Sequence, residues 1–322
     1  MKRSNRAGVI ILSIVTAFTT ALAILIALNH QFARDFVRSL SFQPTAEVAN
    51  IEESLNLTSS GSLIFRATNP QLESSNTFNK HCSSYNPGVS VLGCYTNNGI
   101  YVYDIKNQDL QGIIESTAAH ELMHAIWERL PESDRSAAEP LLAEVYAKHP
   151  SVFWVIEDYA EDSRTDELFA RVGTEVAEIP SELEGIYARY FNDRAAIVAF
   201  YDNYHTVFEQ LSSSITGLAS RIEELKTSID TKTADYIARS AKLTEDVAAF
   251  NECAGRPDCY SISEFADLHA KLSAEQEALS TLYHEIINET AEYNQKVAEY
   301  NQNALRIDYY TNIVNSNLNQ EE

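Results

Sequence analysis

The sequence has few positive charges and lacks the short motifs that bind nucleotides. Lysine and arginine number 24 against 46 aspartate and glutamate residues, so the formal net charge is −22. A body this acidic repels phosphate groups, which argues against a nucleic-acid partner and against lying on anionic lipid. The chain also contains no P-loop, no dinucleotide-binding fingerprint and no nucleophile elbow. These absences argue against nucleotide-dependent and serine-hydrolase functions.

Cysteine is scarce too, and none of its spacings is the CxxC of a structural metal site. The four cysteines form two local pairs, Cys82 with Cys94 and Cys253 with Cys259. Short spacings of this kind predict two disulfide-closed loops in an oxidising compartment. Four unrelated buried thiols are the alternative.

A long run that is both uncharged and mostly apolar lies near the N-terminus. Lys2, Arg3 and Arg6 precede an uncharged run of 21 residues from Gly8 to Leu28, which is long enough to span a bilayer. Because the basic flank stays in the cytoplasm, the pattern predicts a single-pass cell-membrane protein whose body is extracytoplasmic. A cleaved signal peptide is the alternative interpretation.

His120, Glu121 and His124 form an HExxH pattern. Residues four apart share one face of a helix, so both imidazoles can reach one metal ion, with Glu121 beside them as a general base. This pattern is typical of zinc peptidases. Neither Gly nor Pro interrupts the sequence from Glu115 until Pro131, which predicts a helix of about 16 residues. Ordinary surface or core histidines are the alternative.

A β-hairpin is predicted just before this helix. Residues 89–95 and 100–105 are rich in β-branched and aromatic residues and flank the turn sequence Thr96-Asn97-Asn98-Gly99. An edge strand in such a position can hold an extended substrate by β-addition. Further upstream, the sequence predicts a short helix at residues 46–56, a turn at 59–62 and a strand at 63–67.

A catalytic zinc needs a third protein ligand and one open position. No histidine lies six residues beyond His124, and His149 and His205 lie in no ligand motif, so a glutamate is the better candidate. Four positions compete: Glu144, Glu157, Glu161 and Glu167. Glu167 is favoured because Ala170, one helical turn later, would let its helix pack closely on the HExxH helix.

The segment Glu167-Leu168-Phe169-Ala170 resembles the Glu-x-x-Ala third-ligand helix of several gluzincin families. Together with residues 92–95, 118–121 and 166–191, it also resembles a group of poorly characterised, membrane-anchored bacterial proteins over roughly residues 60–205. The resemblance implies a zincin-like metallopeptidase. It would hold Zn²⁺ through His120, His124 and Glu167 and use Glu121 as general base.

Two pairs of residues are candidates for roles beside the metal ligands. Tyr187 and Tyr190 are candidate donors to an oxyanion, but each is more simply a core or surface aromatic and neither is assigned a catalytic role. Asp166 and Glu175 could accept hydrogen bonds from the metal-binding histidines.

The C-terminal part repeats apolar residues at steps of three and four on both sides of a Gly/Pro-containing turn at residues 251–259. This predicts an antiparallel coiled-coil hairpin, which could act as a spacer, an oligomerisation element or a docking arm for a protein partner. The predicted fold is α+β and mostly α, with the segments 1–7 (cytoplasmic), 8–28 (transmembrane), 29–60 (juxtamembrane), 61–205 (zincin-like) and 206–322 (coiled coil).

Two classes of function remain. The first is a membrane-anchored, extracytoplasmic zinc metallopeptidase acting on a protein or peptide, with a cell-wall amidase as a variant. The second is an envelope scaffold that acts through the hairpin and carries a degenerate zincin module. The intact triplet His120, Glu121 and His124 favours the first.

Overall fold

The computed structural model describes residues 10–20, 29–82, 91–149, 153, 156–161, 163–256 and 258–318. Residues 10–20 are helical, and in the described part of the chain no helix is both long and apolar enough to cross a membrane. Residues 8–9 and 21–28 of the predicted span lie outside the described residues. Contacts divide the chain into two compact units, one of Met1–Val207 with Thr311–Glu322 and one of Phe208–Tyr310.

The elements form a mostly helical protein with one small sheet, as the sequence predicts. The helices of the first unit are α1 (His30–Leu40), α2 (Ala46–Ser54), α3 (Ser59–Ala67), α4 (Ser75–His81), α5 (Ile113–Arg129), α6 (Glu132–Lys148), α7 (Arg164–Glu175) and α8 (Ser181–Tyr187). The strands are β1 (Gln71–Glu73), β2 (Gly93–Thr96) and β3 (Gly99–Tyr103). Short 3-10 turns lie at Gln108–Leu110 and Ile156–Asp158, and two long helices follow, α9 (Arg194–Ala254) and α10 (Ile262–Val314).

The sheet has the order β1-β3-β2, with β2 antiparallel and β1 parallel to β3. Asn97 and Asn98 both have positive φ, 50° and 61°, as a two-residue hairpin turn requires. The predicted hairpin is therefore confirmed. Residues 89–90 of its predicted first strand lie outside the described residues. Strand β1 has only three residues, too few for a detectable alternation, and the sequence did not predict it.

The strand predicted at residues 63–67 is wrong, because this segment belongs to helix α3. Thr58 caps that helix, its hydroxyl accepting the Gly61 amide at 3.2 Å. Ile64, Phe65 and Ala67 are buried from the helix. The cap and this helical burial outweigh the β-propensity of the apolar run.

Helix α5 carries the HExxH residues through the centre of the first unit. It begins after Gly112, whose φ is +92° and where a Cβ atom would lie 2.4 Å from the Phe200 carbonyl oxygen, so only glycine fits. The helix packs against β2, β3 and α7. Its buried apolar residues, which include Leu122, Met123 and Ile126, belong to one hydrophobic core. Neighbouring helices and strand β3 contribute further side chains to this core, among them Phe65, Ile100, Phe169, Tyr187 and Ile197.

Both predicted disulfides are present. Cys82 pairs with Cys94 at a Cα–Cα distance of 5.9 Å, and Cys253 pairs with Cys259 at 5.6 Å. The first ties the end of α4 to strand β2. The second closes the turn between α9 and α10.

In the second unit, α9 and α10 pair as an antiparallel hairpin. Contacts between them step in opposite directions along the two helices: Phe208 with Tyr310, Ser214 with Asn303, Lys232 with Glu285 and Glu289, Arg239 with Glu275, and Phe250 with Phe265. The prediction that the two arms pair with each other within one chain is therefore confirmed.

Candidate metal centre

Two helices bring three metal-binding side chains together. His120 and His124 lie one turn apart on α5, and their Nε2 atoms are 3.2 Å apart. Glu167 projects from α7, with its Oε2 atom 3.7 Å from His120 Nε2 and 3.5 Å from His124 Nε2. Each of the three residues offers one ligand atom, and these atoms all lie within 4.8 Å of one another. The group can hold a metal ion.

The spacing of the donor atoms fits a tetrahedral ion of the size of zinc. Metal–ligand bonds of about 2.0–2.2 Å in a tetrahedron place neighbouring donor atoms about 3.3–3.6 Å apart. The observed separations of 3.2, 3.5 and 3.7 Å fall around that range. Two imidazole nitrogens and one carboxylate oxygen are also a common donor set for catalytic zinc, in which the fourth position stays open.

Asp166 orients the second histidine. Its Oδ1 atom lies 2.9 Å from His124 Nδ1, which leaves Nε2 of the same ring for the metal-binding group. Burial would lower the pKa of His124, but hydrogen bonds with Asp166 and Glu167 raise it well above its usual range. Of the two residues predicted to accept hydrogen bonds from the histidines, Asp166 is the one that contacts His124. Glu175 instead accepts a hydrogen bond from Arg171 at 3.2 Å.

Arg171 fixes the other carboxylate oxygen of Glu167. The Arg171 Nε atom donates to Glu167 Oε1 at 2.8 Å, so Oε2 is the oxygen that faces the histidines. Burial alone would raise the pKa of Glu167, yet the nearby His120 and His124 hold it well below its usual range. Burial raises the pKa of Glu175.

Glu121 lies in the same cavity, under strand β2. Its side chain is buried, and this burial raises the pKa of its carboxyl group. A Cβ atom at Gly93 would lie 2.8 Å from Glu121 Oε1 and 2.6 Å from the Thr117 methyl group. Gly93 therefore allows the strand to approach the HExxH helix without displacing Glu121.

The cavity beside these residues has a volume of about 200 Å³. It is bordered by the start of β2, by α5 and α7, and by three tyrosines, Tyr159, Tyr201 and Tyr204. Burial raises the pKa of Tyr159 and of Tyr204, so both hydroxyls stay protonated and can donate hydrogen bonds at neutral pH.

The three competing glutamates lie outside this group. Glu144 on α6 is about half exposed and pairs with Lys148 at 2.6 Å. Glu157 and Glu161 are exposed, the first in a 3-10 turn and the second just after it. Among the residues that the structure describes, His120, His124 and Glu167 form the one cluster of metal-binding geometry.

The tyrosines nearest the site differ from those that the sequence suggested. Tyr187 is fully buried, and its hydroxyl donates to the Phe169 carbonyl at 2.8 Å, while Tyr190 does not line the cavity. Tyr159 and Tyr204 do. Tyr159 lies in an irregular segment and Tyr204 on α9, so neither has a local pattern that marks it.

Comparisons with known proteins identify no relative. No family model matches the chain, and neither a curated protein nor a solved structure matches it. A functional assignment therefore depends on the geometry of this site and on its residues.

Proposed function

We propose that the chain is a zinc-dependent metallopeptidase of the gluzincin type, anchored in the cell membrane with its metal centre outside the cytoplasm. The observation that supports this most strongly is the convergence of His120 Nε2, His124 Nε2 and Glu167 Oε2 at separations of 3.2–3.7 Å. Glu121, which has no place among the three ligands, lines the same cavity, as a general base should.

The proposed mechanism divides the work among five groups. A zinc ion held by His120, His124 and Glu167 would supply Lewis-acid chemistry to an amide carbonyl and to a water molecule. Glu121 removes the proton from the attacking water and passes it to the leaving amine. Tyr159 and Tyr204 are our candidates for the donors that stabilise the developing oxyanion. Asp166 keeps the His124 ring in the orientation that the metal requires.

The proposed substrate is an extended peptide. Strand β2 lies at the edge of the sheet, and residues 91–93 at its start line the cavity. An extended peptide can add to such an edge through main-chain hydrogen bonds, which would place a carbonyl group near Glu121. A cell-wall peptide presents the same amide chemistry, so an amidase is a variant of this proposal.

The proposed location follows from the N-terminal sequence. Lys2, Arg3 and Arg6 flank the uncharged run at residues 8–28, as they would in a signal anchor with a cytoplasmic N-terminus. The two disulfides support an oxidising compartment for the body of the protein.

The test is hydrolysis of an unfolded protein or a mixed peptide library by the purified full chain. We expect cleavage that stops when a chelator removes the metal and returns when zinc is added. The control is Glu121→Gln, which should keep one zinc per chain and lose at least about 10²-fold in rate because the general base is gone. Equal cleavage by the Glu121→Gln variant would overturn the proposal.

A further inference from the structure

Helix α1 is oriented with its apolar face toward solvent. Its large apolar side chains are Phe32, Phe36, Val37 and Leu40, with exposed fractions of 59%, 49%, 65% and 72%. These positions are four, one and three residues apart, which places them on one side of the helix as a single stripe. The buried residue of α1 is Asp35. An amphipathic helix on the surface of a globular protein normally buries its apolar stripe against the core.

The polar face of α1 is held firmly by the rest of the first unit. Asp35 and Arg129, at the end of α5, form two hydrogen bonds of 2.9 and 3.1 Å, and both side chains are 5% exposed. Gln31 also donates to Asp35, at 3.1 Å. A buried, bidentate ion pair of this kind fixes the rotation of the helix about its axis. The apolar stripe therefore cannot turn inward without leaving a buried charge unpaired.

The position of α1 in the chain indicates what covers the stripe. The uncharged run of 21 residues ends at Leu28, and α1 begins at His30. If the run spans a bilayer, as proposed above, α1 starts at the lipid surface. Arg34 and Arg38 are exposed on faces of α1 outside the stripe. In a helix that lies in the membrane interface, such cations reach toward the headgroups while the apolar residues lie below them.

A second copy of the chain fits this stripe less well. Four partly exposed side chains offer on the order of 400 Å² of apolar surface, about half of the ~800 Å² per partner that a stable protein interface buries. A lipid surface needs no matching patch.

We propose that α1 is an interfacial helix that inserts Phe32, Phe36, Val37 and Leu40 between lipid headgroups and acyl chains. Its polar face then holds the metal-centre unit at the membrane surface through Asp35 and Arg129. Because the net charge of the chain is strongly negative, the insertion depends on apolar contact and should occur on zwitterionic phosphatidylcholine. The proposal rests on the proposed membrane anchor and is independent of the metal chemistry.

The experiment places a nitroxide at Phe36 in the full chain, reconstituted in phosphatidylcholine vesicles. All four native cysteines are paired, so the thiol of a Phe36→Cys variant takes the label selectively. Two reference variants are labelled in the same way: Ile14→Cys, within the predicted span, and Leu318→Cys, an apolar position outside α1 that is more exposed than Phe36 (64% against 49%). Collision rates are measured with oxygen, which enters the bilayer, and with a nickel chelate, which stays in water.

We expect the oxygen-to-nickel ratio at position 36 to be several-fold higher than at 318 and lower than at 14. A ratio at 36 equal to that at 318, with a high ratio at 14, would overturn the interfacial helix while leaving the anchor intact. Equal ratios at all three positions would overturn both. A label at 36 that is shielded from both reagents and broadened by a second label would show a contact between copies and would also overturn the proposal. None of these readouts depends on metal or on hydrolysis.

Discussion

Asp166 and Glu167 are neighbours in sequence, and both act on His124: Asp166 Oδ1 lies 2.9 Å from its Nδ1 atom, and Glu167 Oε2 lies 3.5 Å from its Nε2 atom. A single turn of α7 thus supplies one ligand of the candidate metal centre and also orients another. This arrangement explains why the packing of α7 against α5 decides the geometry of the site.

Replacing the orienting carboxylate should weaken metal binding without destroying the site. Because Asp166→Asn keeps the shape but lowers the acceptor strength at His124 Nδ1, we expect zinc affinity to fall about 10–100-fold. Competition with a fluorescent zinc chelator measures the affinity. Glu178, on the loop after α7, gives the control Glu178→Gln, which should leave the affinity unchanged. Equal affinities for the two variants would contradict the role of Asp166.

Adding a methyl group at Gly93 should misplace the general base. The new Cβ atom would lie 2.8 Å from Glu121 Oε1, so Gly93→Ala must displace the carboxylate or the strand. We expect one zinc per chain to remain and the rate to fall about 10²-fold, the loss that a shift of about 1 Å can cause. Gly185→Ala is the matched control, since a Cβ atom there meets nothing within 4 Å. An unchanged rate in Gly93→Ala would show that Glu121 has room to move.

Removing a tyrosine hydroxyl from the cavity should slow turnover while sparing the metal. Tyr159→Phe and Tyr204→Phe each remove one hydrogen-bond donor from the wall of the cavity. For the residue that contacts the oxyanion, we expect kcat to fall about 10²–10³-fold with zinc content unchanged. Tyr190→Phe is the control and should behave as the unaltered protein. Full activity in both cavity variants would remove Tyr159 and Tyr204 from the mechanism.

Breaking the buried ion pair between α1 and α5 should destabilise the first unit. Arg129→Met leaves Asp35 charged and unpaired at 5% exposure, which should cost about 3–5 kcal/mol in the free energy of unfolding. Lys148→Met breaks an exposed pair with Glu144 and should cost at most about 1 kcal/mol. Denaturant titration compares the two.

A double variant separates the pair from the packing. Combining Asp35→Leu with Arg129→Met removes both charges, so most of the lost stability should return. If the double variant were as unstable as Arg129→Met alone, the loss would come from packing rather than from an unpaired charge.

Patterns that depend on local sequence were read correctly. The HExxH helix and the Asn-Asn hairpin turn follow from periodicity or turn chemistry over a few neighbouring residues. The pairing of α9 with α10 follows from the same apolar periodicity repeated along both arms. The sequence favours Glu167 over its competitors because Ala170, one turn later, is small. In the structure, Ala170 is fully buried. Close packing of two helices requires small residues at the contact, and these can be recognised in the sequence.

Features that depend on distant residues were missed. The strand prediction at residues 63–67 overlooked one local signal, the Thr58 cap. It also missed one distant contact, the packing of Gly61, where a Cβ atom would lie 2.2 Å from the Tyr190 carbonyl oxygen. Tyr204 reaches the cavity because α9 begins at Arg194 and runs on without a break into the hairpin. The orientation of α1 depends on the partner of Asp35, which lies 94 residues away. Sequence periodicity carries no information on such contacts.

The most direct test of the central claim is the metal content of the purified full chain, measured by elemental analysis after zinc loading and dialysis. We predict one zinc per chain in the unaltered protein and in Glu144→Ala, and none in Glu167→Ala, because Glu167, unlike Glu144, faces both histidines. Full zinc content in Glu167→Ala, or no zinc in the unaltered protein, would contradict the account.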